Sequence, residues 1–376
     1  MKQTDNKLIK KLKIWDLPTR FYHWLQLVLV FAGLLSGFFA PEWWLNIHVW
    51  LGYALVALLV FRISWGFFGP QYSRFSSFIF TPSILIAHIK GIKEGKPLHF
   101  FGHNPLGALM VFGLIAVMVG IILSGLINFG GVENQGVLAG FVDYATGDKA
   151  GKIHLFLAYA LMGMIILHII GVVVESKISK ISLTKAMIDG DKPLEEGQEK
   201  PTLQPLQTKA AVFTIIVFGI VLVGGAVILS KKPASGFILM PLNEAYQSEC
   251  SDCHIVYHPS LLPKKSWSLM MNDLEDHFGE DASLDDETRN EIAGYLSRYS
   301  AENWDSEAAN NFITVNEKKP FQISATPYWE MRHKNIDKEI FNIKKINSIS
   351  NCEACHSDAK AGQFFDENIR IPNKQN

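Results

Sequence analysis

The stretch HLFLAYALMGMIILH, His154 to His168, carries no charge and has a histidine at either end. Wound as a helix it rises about 1.5 Å per residue, which sets the two imidazoles about 21 Å apart along the axis. Fourteen steps of about 100° return to within about 40° of the starting direction, so both rings lie on one face. An ionisable side chain inside a membrane is costly and needs a partner there. The stretch therefore reads as a membrane-spanning helix that offers two ligand-type side chains at two depths.

Working outward, runs at approximately 22–40, 47–68, 105–128, 154–174 and 210–230 are long and apolar enough to cross a hydrocarbon core of about 30 Å. Lys7, Lys10, Lys11 and Lys13 precede the first run as they would a signal peptide. That run is longer than a signal core and lacks a small-residue exit, so a retained helix is expected. The N-terminus and loops 69–104 and 175–209 are rich in Lys and Arg, whereas 41–46 has none and 129–153 only Lys149 and Lys152. The first set is expected in the cytoplasm, and five crossings then send residues 231–376 outward. Trp43, Trp44 and Trp65 suit interfacial belts and ordinary packing equally.

Composition agrees. The chain is 48% hydrophobic and 19% charged, below the roughly 25% charge of soluble proteins. Residues 1–230 hold 19 basic and 13 acidic residues, and residues 231–376 hold 16 and 23. A single soluble domain and intrinsic disorder are excluded, and the scattered basic residues form no nucleic-acid patch.

The membrane histidines fall into two depths. His48 and His154 start the second and fourth spans at the outer side, while His23 starts the first at the inner side, level with His168. Two bis-histidine b-haems stacked across the bilayer need this arrangement, because each flat macrocycle takes one ligand from either side. Packing histidines would have no reason to match in depth four times. His88, His99 and His103 have no depth-matched partner. Arg20 and Arg62 stand where they could meet haem propionates or lipid phosphates.

Several motifs extend this reading: Trp15-Asp16-Leu17-Pro18-Thr19-Arg20 before His23, His48-Val49-Trp50-Leu51-Gly52-Tyr53, Phe61-Arg62-Ile63-Ser64-Trp65-Gly66, and Gly102-His103-Asn104-Pro105-Leu106-Gly107. With the fourteen-residue histidine spacing, residues 12–176 resemble the bacterial cytochrome b561 and hydrogenase b-type cytochrome family. The resemblance implies that His23 with His168 and His48 with His154 ligate two b-haems, and that the segment exchanges electrons with quinone. His103, inside a family-like motif, is open to a structural or quinone-site role.

The four cysteines all fall after residue 249, as Cys250-Ser251-Asp252-Cys253-His254 and Cys352-Glu353-Ala354-Cys355-His356. Cys-x-x-Cys-His is the attachment signal for covalent c-type haem, with the histidine as proximal iron ligand. A four-thiolate zinc site or a pair of redox dithiols would not require the histidines, and their chance occurrence after both pairs is roughly one in a thousand at this histidine content. For the sixth ligands, His277 and His333 are the candidates. Trp267, Met270, Leu274 and His277 fall at helical spacing and are expected on one helix face. His333 follows Trp329 similarly, while His258 is too near His254 to round the macrocycle. Residues 245–373 also resemble the dihaem cytochrome c family called DHC, through Glu249 to His254, Leu261-Leu262-Pro263, Ser266-Trp267, His277-Phe278-Gly279, Thr326-Pro327-Tyr328-Trp329, Asn351 to His356, Gly362 to Phe364 and Ile371-Pro372. The resemblance implies bis-histidine c-haems, sequence order favouring His254 with His277 and His356 with His333, and a periplasmic, oxygen-binding c-type haem protein as electron partner.

The expected architecture is all-α: a four-helix transmembrane di-haem bundle (1–176), a cytoplasmic linker (177–209), a fifth, tethering helix (210–230) and a small, mainly helical and loop dihaem cytochrome c domain (231–376). The expected cofactors are two non-covalent b-haems and two covalent c-haems, with quinol as substrate from the inner-membrane quinone pool. The expected function is quinol oxidation with electrons delivered to a periplasmic haem protein. The same path run in reverse and a haem-based sensor are the rivals. Nine carboxylates between Asp273 and Glu291 face Arg289 alone, either as a solvated face or as a docking surface for a basic partner. A homodimer is one arrangement that the sequence allows.

Overall fold

The computed structural model describes residues 11–95, 98, 100–193 and 206–372. Lys7, Lys10, His99 and the middle of the linker, 194–205, lie outside the described residues. Within these limits the chain is all-α apart from one two-stranded ribbon. It packs as two compact units, each discontinuous in sequence: residues 1–39, 47–125 and 152–226 form the first, and residues 40–46, 126–151 and 227–376 the second.

The helices of the membrane half are α1 (Leu17–Phe39), α2 (Leu45–Phe68), α3 (Pro82–Lys93), α4 (Pro105–Gly131), α5 (Tyr144–Ser179), α6 (Leu183–Asp189) and α7 (Thr208–Leu229). Five are long and apolar enough to cross a membrane: Leu17–Phe39, Glu42–Phe68, Pro105–Gly131, Tyr144–Ser179 and Thr208–Leu229. They exceed the expected spans at several ends because the polar residues flanking each apolar run continue the helix. Val30, Leu55, Met118 and Leu161, one from each of α1, α2, α4 and α5, are buried together as the bundle's core. Outward-facing Phe21, Phe31 and Phe156 are more than half exposed, an apolar exterior that water would not tolerate and a bilayer covers. Along α7 only Ala211 is buried, so this helix stands apart from the bundle core.

The linker is more structured than its composition suggests. Strand β1 (Lys11–Lys13) pairs antiparallel with β2 (Asp191–Pro193), and the amides of Ile14 and Trp15 donate to Gly190 O at 2.8 and 3.0 Å. Gly190 has φ +87°, and a Cβ there would lie 2.5 Å from Trp15 O, so the turn requires glycine. Next to it, Asp16 accepts from Thr19 Oγ1 at 2.6 Å, Ser73 Oγ at 2.7 Å and Trp65 Nε1 at 2.9 Å. The Trp15-Asp16 motif therefore ties α1, α2 and the loop after α2 together.

The second unit contains α8 (Glu244–Cys250), α9 (Lys264–Met271), α10 (Asp286–Arg298), α11 (Glu307–Phe312) and α12 (Pro327–His333), joined by short 3₁₀ turns. Asn243, Asp285, Ser306 and Thr326 cap four of these helices by accepting from backbone amides. Tyr246, Leu262, Trp267, Met271, Ile292 and Leu296 form its main core. One expected feature is corrected here. The helix carrying Trp267 and Met270 ends at Met271 with Asn272 as its cap, because Asp273 leaves helical geometry (φ −136°, ψ 47°), and His277 follows a separate 3₁₀ turn, Leu274–Asp276. His277 is thus presented from a loop, not from the helix face that Trp267 and Met270 share.

Candidate haem sites

Among the described residues, four pairs of imidazoles face one another. The ring centres of His48 and His154 are 6.0 Å apart and those of His23 and His168 6.3 Å apart, both in the first unit. His254 and His277 are 6.1 Å apart, as are His333 and His356, in the second unit. The spacing has a simple test. Two bonds from imidazole nitrogen to metal of about 2 Å each, plus about 1 Å from each nitrogen to its ring centre, sum to roughly 6 Å. Rings in van der Waals contact would come closer, so the gap fits one bis-histidine iron at each pair.

Hydrogen bonds at the rear of the rings agree with that use. Ser36 donates its hydroxyl to Gly33 O at 3.0 Å, which leaves its oxygen to accept from His48 Nδ1 at 3.0 Å. His154 Nδ1 donates to Ile121 O at 2.9 Å, His254 Nδ1 to Ile255 O at 2.6 Å and His333 Nδ1 to Trp329 O at 2.9 Å. With the proton fixed on Nδ1, the lone pair is on Nε2, the arrangement of a ligating histidine. Gly125 adds a steric constraint, since a Cβ there would lie 3.0 Å from His154 Cε1. In the second unit burial favours the neutral, metal-binding form of His277, His333 and His356. Burial and the neighbouring His254 lower His277, burial lowers His333, and burial with His333 beside it pulls His356 down to about 4.

The cysteines occupy two separate places. Cys250 ends α8 and Cys352 begins a 3₁₀ turn, each followed within four residues by its histidine. Burial pushes both thiols up to about 11, against the low pKa of a reactive dithiol. Among the described residues no three His, Cys, Asp or Glu side chains gather as metal ligands, which speaks against a shared thiolate zinc site.

The three remaining histidines among the described residues each pack against aromatic rings. His258 is buried, bonded through Nδ1 to Ser260 Oγ at 2.7 Å and edge-on to Trp304; burial lowers it to about 4. His103 is held between Trp15 and Phe78 at 4.7 and 4.5 Å. His88 is fully buried and edge-on to Phe100. Arg62 is buried too, donating to Ser73 O at 3.2 Å with its guanidinium over Phe75, and Arg20 donates to Ile188 O.

One cluster had no local sequence signal. Arg332, next to His333, bridges Asp366 at 2.8 Å and Glu42 at 3.1 Å. Glu133 and Glu307 join this group, and burial raises both carboxyls, while burial brings Asp366 to about 6 against the pull of Arg332. Its members come from positions 42, 133, 307, 332 and 366, so no window of sequence displays them.

The apolar bundle with its relatives defines a membrane electron-transfer cytochrome. Residues 14–190 match the family model described as prokaryotic cytochrome b561, and residues 246–364 match that described as dihaem cytochrome c, so the chain joins a segment of each family. Their b-type and c-type haems follow. Among curated relatives, the probable Ni/Fe-hydrogenase 1 B-type cytochrome subunit of Escherichia coli K12 is 22% identical over 47% of this chain and 88% of its own. The probable Ni/Fe-hydrogenase B-type cytochrome subunit of Bradyrhizobium diazoefficiens is 25% identical over 49% and 86%. Among solved structures, DHC from Rhodobacter sphaeroides is 36% identical over 33% of this chain and 98% of its own, with a TM-score of 0.26. The dihaem cytochrome from Shewanella baltica is 30% identical over 36% and 96%, with a TM-score of 0.29.

Proposed function

We propose that the chain oxidises quinol in the bacterial inner membrane and passes the electrons outward to a periplasmic c-type haem protein. Oxidation of one quinol to quinone releases two electrons and two protons. The observation that carries the reading is the set of four imidazole pairs, each separated by 6.0 to 6.3 Å. His23 with His168 and His48 with His154 hold two b-haems at two depths of the bundle, while His254 with His277 and His333 with His356 hold two c-haems attached through Cys250, Cys253, Cys352 and Cys355. The haems supply one-electron carriers, and all redox chemistry beyond the quinol belongs to them.

The chain's own residues orient and insulate. Ser36 and the carbonyls of Ile121, Ile255 and Trp329 fix ring tautomers, and such outer partners tune the iron as well as hold the ligand. Trp329 stacks on His333 at 4.2 Å and 11° between planes, excluding water from that ring. Loop charge favours the N-terminus and the 175–209 segment in the cytoplasm and residues 231–376 in the periplasm. The carboxylates between Asp273 and Glu291 offer a basic partner a steering surface beside His277.

The test is a pyridine haemochrome spectrum of the detergent-solubilised chain before and after acid-acetone extraction, followed by mixing with a soluble quinol. Two extractable and two covalent haems that reduce on mixing are expected. Covalent haems alone would leave an anchored dihaem cytochrome without a quinone reaction, and a strong carbon monoxide spectrum would favour the sensor reading over fully ligated irons.

A further inference from the structure

The loops that join the membrane helices belong, by their packing, to the second unit. Residues 40–46 lead into α2, and residues 126–151 end α4 and begin α5. The polar contacts of Glu42 and Glu133 reach the elements around the second Cys-x-x-Cys-His site, while those of Tyr144 reach Asp305 and Asn311, before and within α11. Glu42 pairs with Arg332, the neighbour of His333, and Arg332 pairs in turn with Asp366. The turn containing Asp366 runs into Ile369 and Arg370, which bond back to His356 and Cys355, Arg370 N to Cys355 O at 2.8 Å. Glu133 accepts from the Asp366 amide. Tyr144, the first residue of α5, donates its amide to Asp305 at 3.0 Å, and its hydroxyl accepts from Asn311 at 2.9 Å.

These loops are also the covalent neighbours of the outer b-haem ligands. Glu42 precedes His48 by six residues, at most about 22 Å of extended chain. Tyr144 precedes His154 by ten residues of one helix, a rise of about 15 Å. A second link leads onward from the same site. Tyr257 donates its hydroxyl to Ser350 O at 2.8 Å, two residues before Cys352, and its ring lies 5.1 Å from that of His254. Beyond His254 stand His277 and Phe278, a half-exposed aromatic at φ +59° flanked by Glu275, Asp276, Glu280 and Asp281.

We infer that electrons enter the second unit at the His333/His356 site and leave from the His254/His277 site, so the two c-type sites work in the reverse of their sequence order, with Arg332 as the positioning residue at the entry. The inference rests on the electron path proposed above but not on quinol as its source. Glu42 and Arg332 bring a loop tied to His48 against the residue next to His333. Tyr257 provides the onward contact, and the acidic run with exposed Phe278 lies at the His254/His277 site.

The test uses the full-length chain with all four haems in detergent. His333→Met and His277→Met each replace an imidazole by a thioether, which raises the potential of that haem and changes its spectrum, labelling the sites in turn. On rapid reduction through the b-haems, the label at position 333 is expected to reduce without delay and the label at 277 after a lag; the opposite order overturns the inference. Arg332→Gln is expected to slow transfer from b to c by about tenfold, as outer-shell changes do, and to lower the midpoint potential of the 333-labelled haem alone. An unchanged transfer rate, or a shift at the 277-labelled haem, overturns it. Should Arg332→Gln fail to assemble its haems, Glu42→Gln breaks one arm of the same bridge from a half-exposed position, and slower b-to-c transfer with full haem content is then the expected result. Reduction by photoreduced flavin as well as by a soluble quinol keeps the outcomes apart: chains reduced by flavin but not by quinol defeat the quinol reading and still report the order.

Discussion

At the scale of single residues, each histidine proposed as a ligand has an individual signature. His168→Ala should remove one b-haem and spare both c-haems, read from the extractable haem per chain; two b-haems remaining would show that His168 pairs with nothing. His356→Ala should leave its haem covalently bound through Cys352 and Cys355 while changing its spectrum and lowering thermal stability. Ser36→Ala strips the acceptor from His48 Nδ1 and should weaken b-haem retention by about tenfold, measured by haem loss to apomyoglobin. His258 gives a pH signature. Burial holds it near 4 in the folded chain against 6.5, so the unfolded chain binds the extra proton between these values. Stability is therefore full above about 6.5 and falls as pH drops toward 4, with a slope of up to about 1.4 kcal/mol per pH unit. Thermal unfolding of His258→Asn across this window should show a shallower acid decline than the parent; an equal slope would assign the decline to other groups.

At the scale of elements, what the sequence displays depends on how local the causal pattern is. The His154/His168 spacing lies within one helix, and each Cys-x-x-Cys-His within five residues, so both are visible without a fold. His277 was visible as a histidine but not in its setting: residues 267–277 have helical periodicity, yet Asp273 breaks the helix and the 3₁₀ turn re-aims the ring. Strands β1 and β2 are three residues each and lie far apart in sequence, too short for any alternation to register. The Glu42–Arg332–Asp366 bridge joins three distant positions and is a property of the fold alone. The acidic run from Asp273 to Glu291 belongs to this scale too. If it docks a basic partner, the rate of partner reduction should fall steadily between about 10 and 300 mM salt as the screening length contracts. A flat profile would reduce the run to a solvated surface.

At the scale of the whole molecule, the two units do not coincide with the two halves of the sequence. The loops 40–46 and 126–151 are encoded among the membrane spans but pack with residues 227–376. A chain cut near residue 230 would therefore separate Glu42 from Arg332 and Tyr144 from Asp305 and Asn311. The C-terminal piece expressed alone is expected to melt at lower temperature than the same haems in the full chain, by differential scanning calorimetry; equal melting would show that the loops contribute nothing to it.

Helix α5 runs without interruption from Tyr144 to Ser179, about 54 Å at 1.5 Å per residue, far longer than a hydrocarbon core of about 30 Å. It carries Tyr144, His154 and His168 on one continuous helix, so their angular phase along it follows residue count. Adding one residue between Tyr144 and His154 would rotate the tyrosine by about 100° relative to the histidines, whereas adding seven would restore its phase to within about 20° while lengthening the shaft by about 10 Å. The helix acts as a crankshaft whose timing is written in integers, and insertions at this point should be tolerated by number rather than by chemistry.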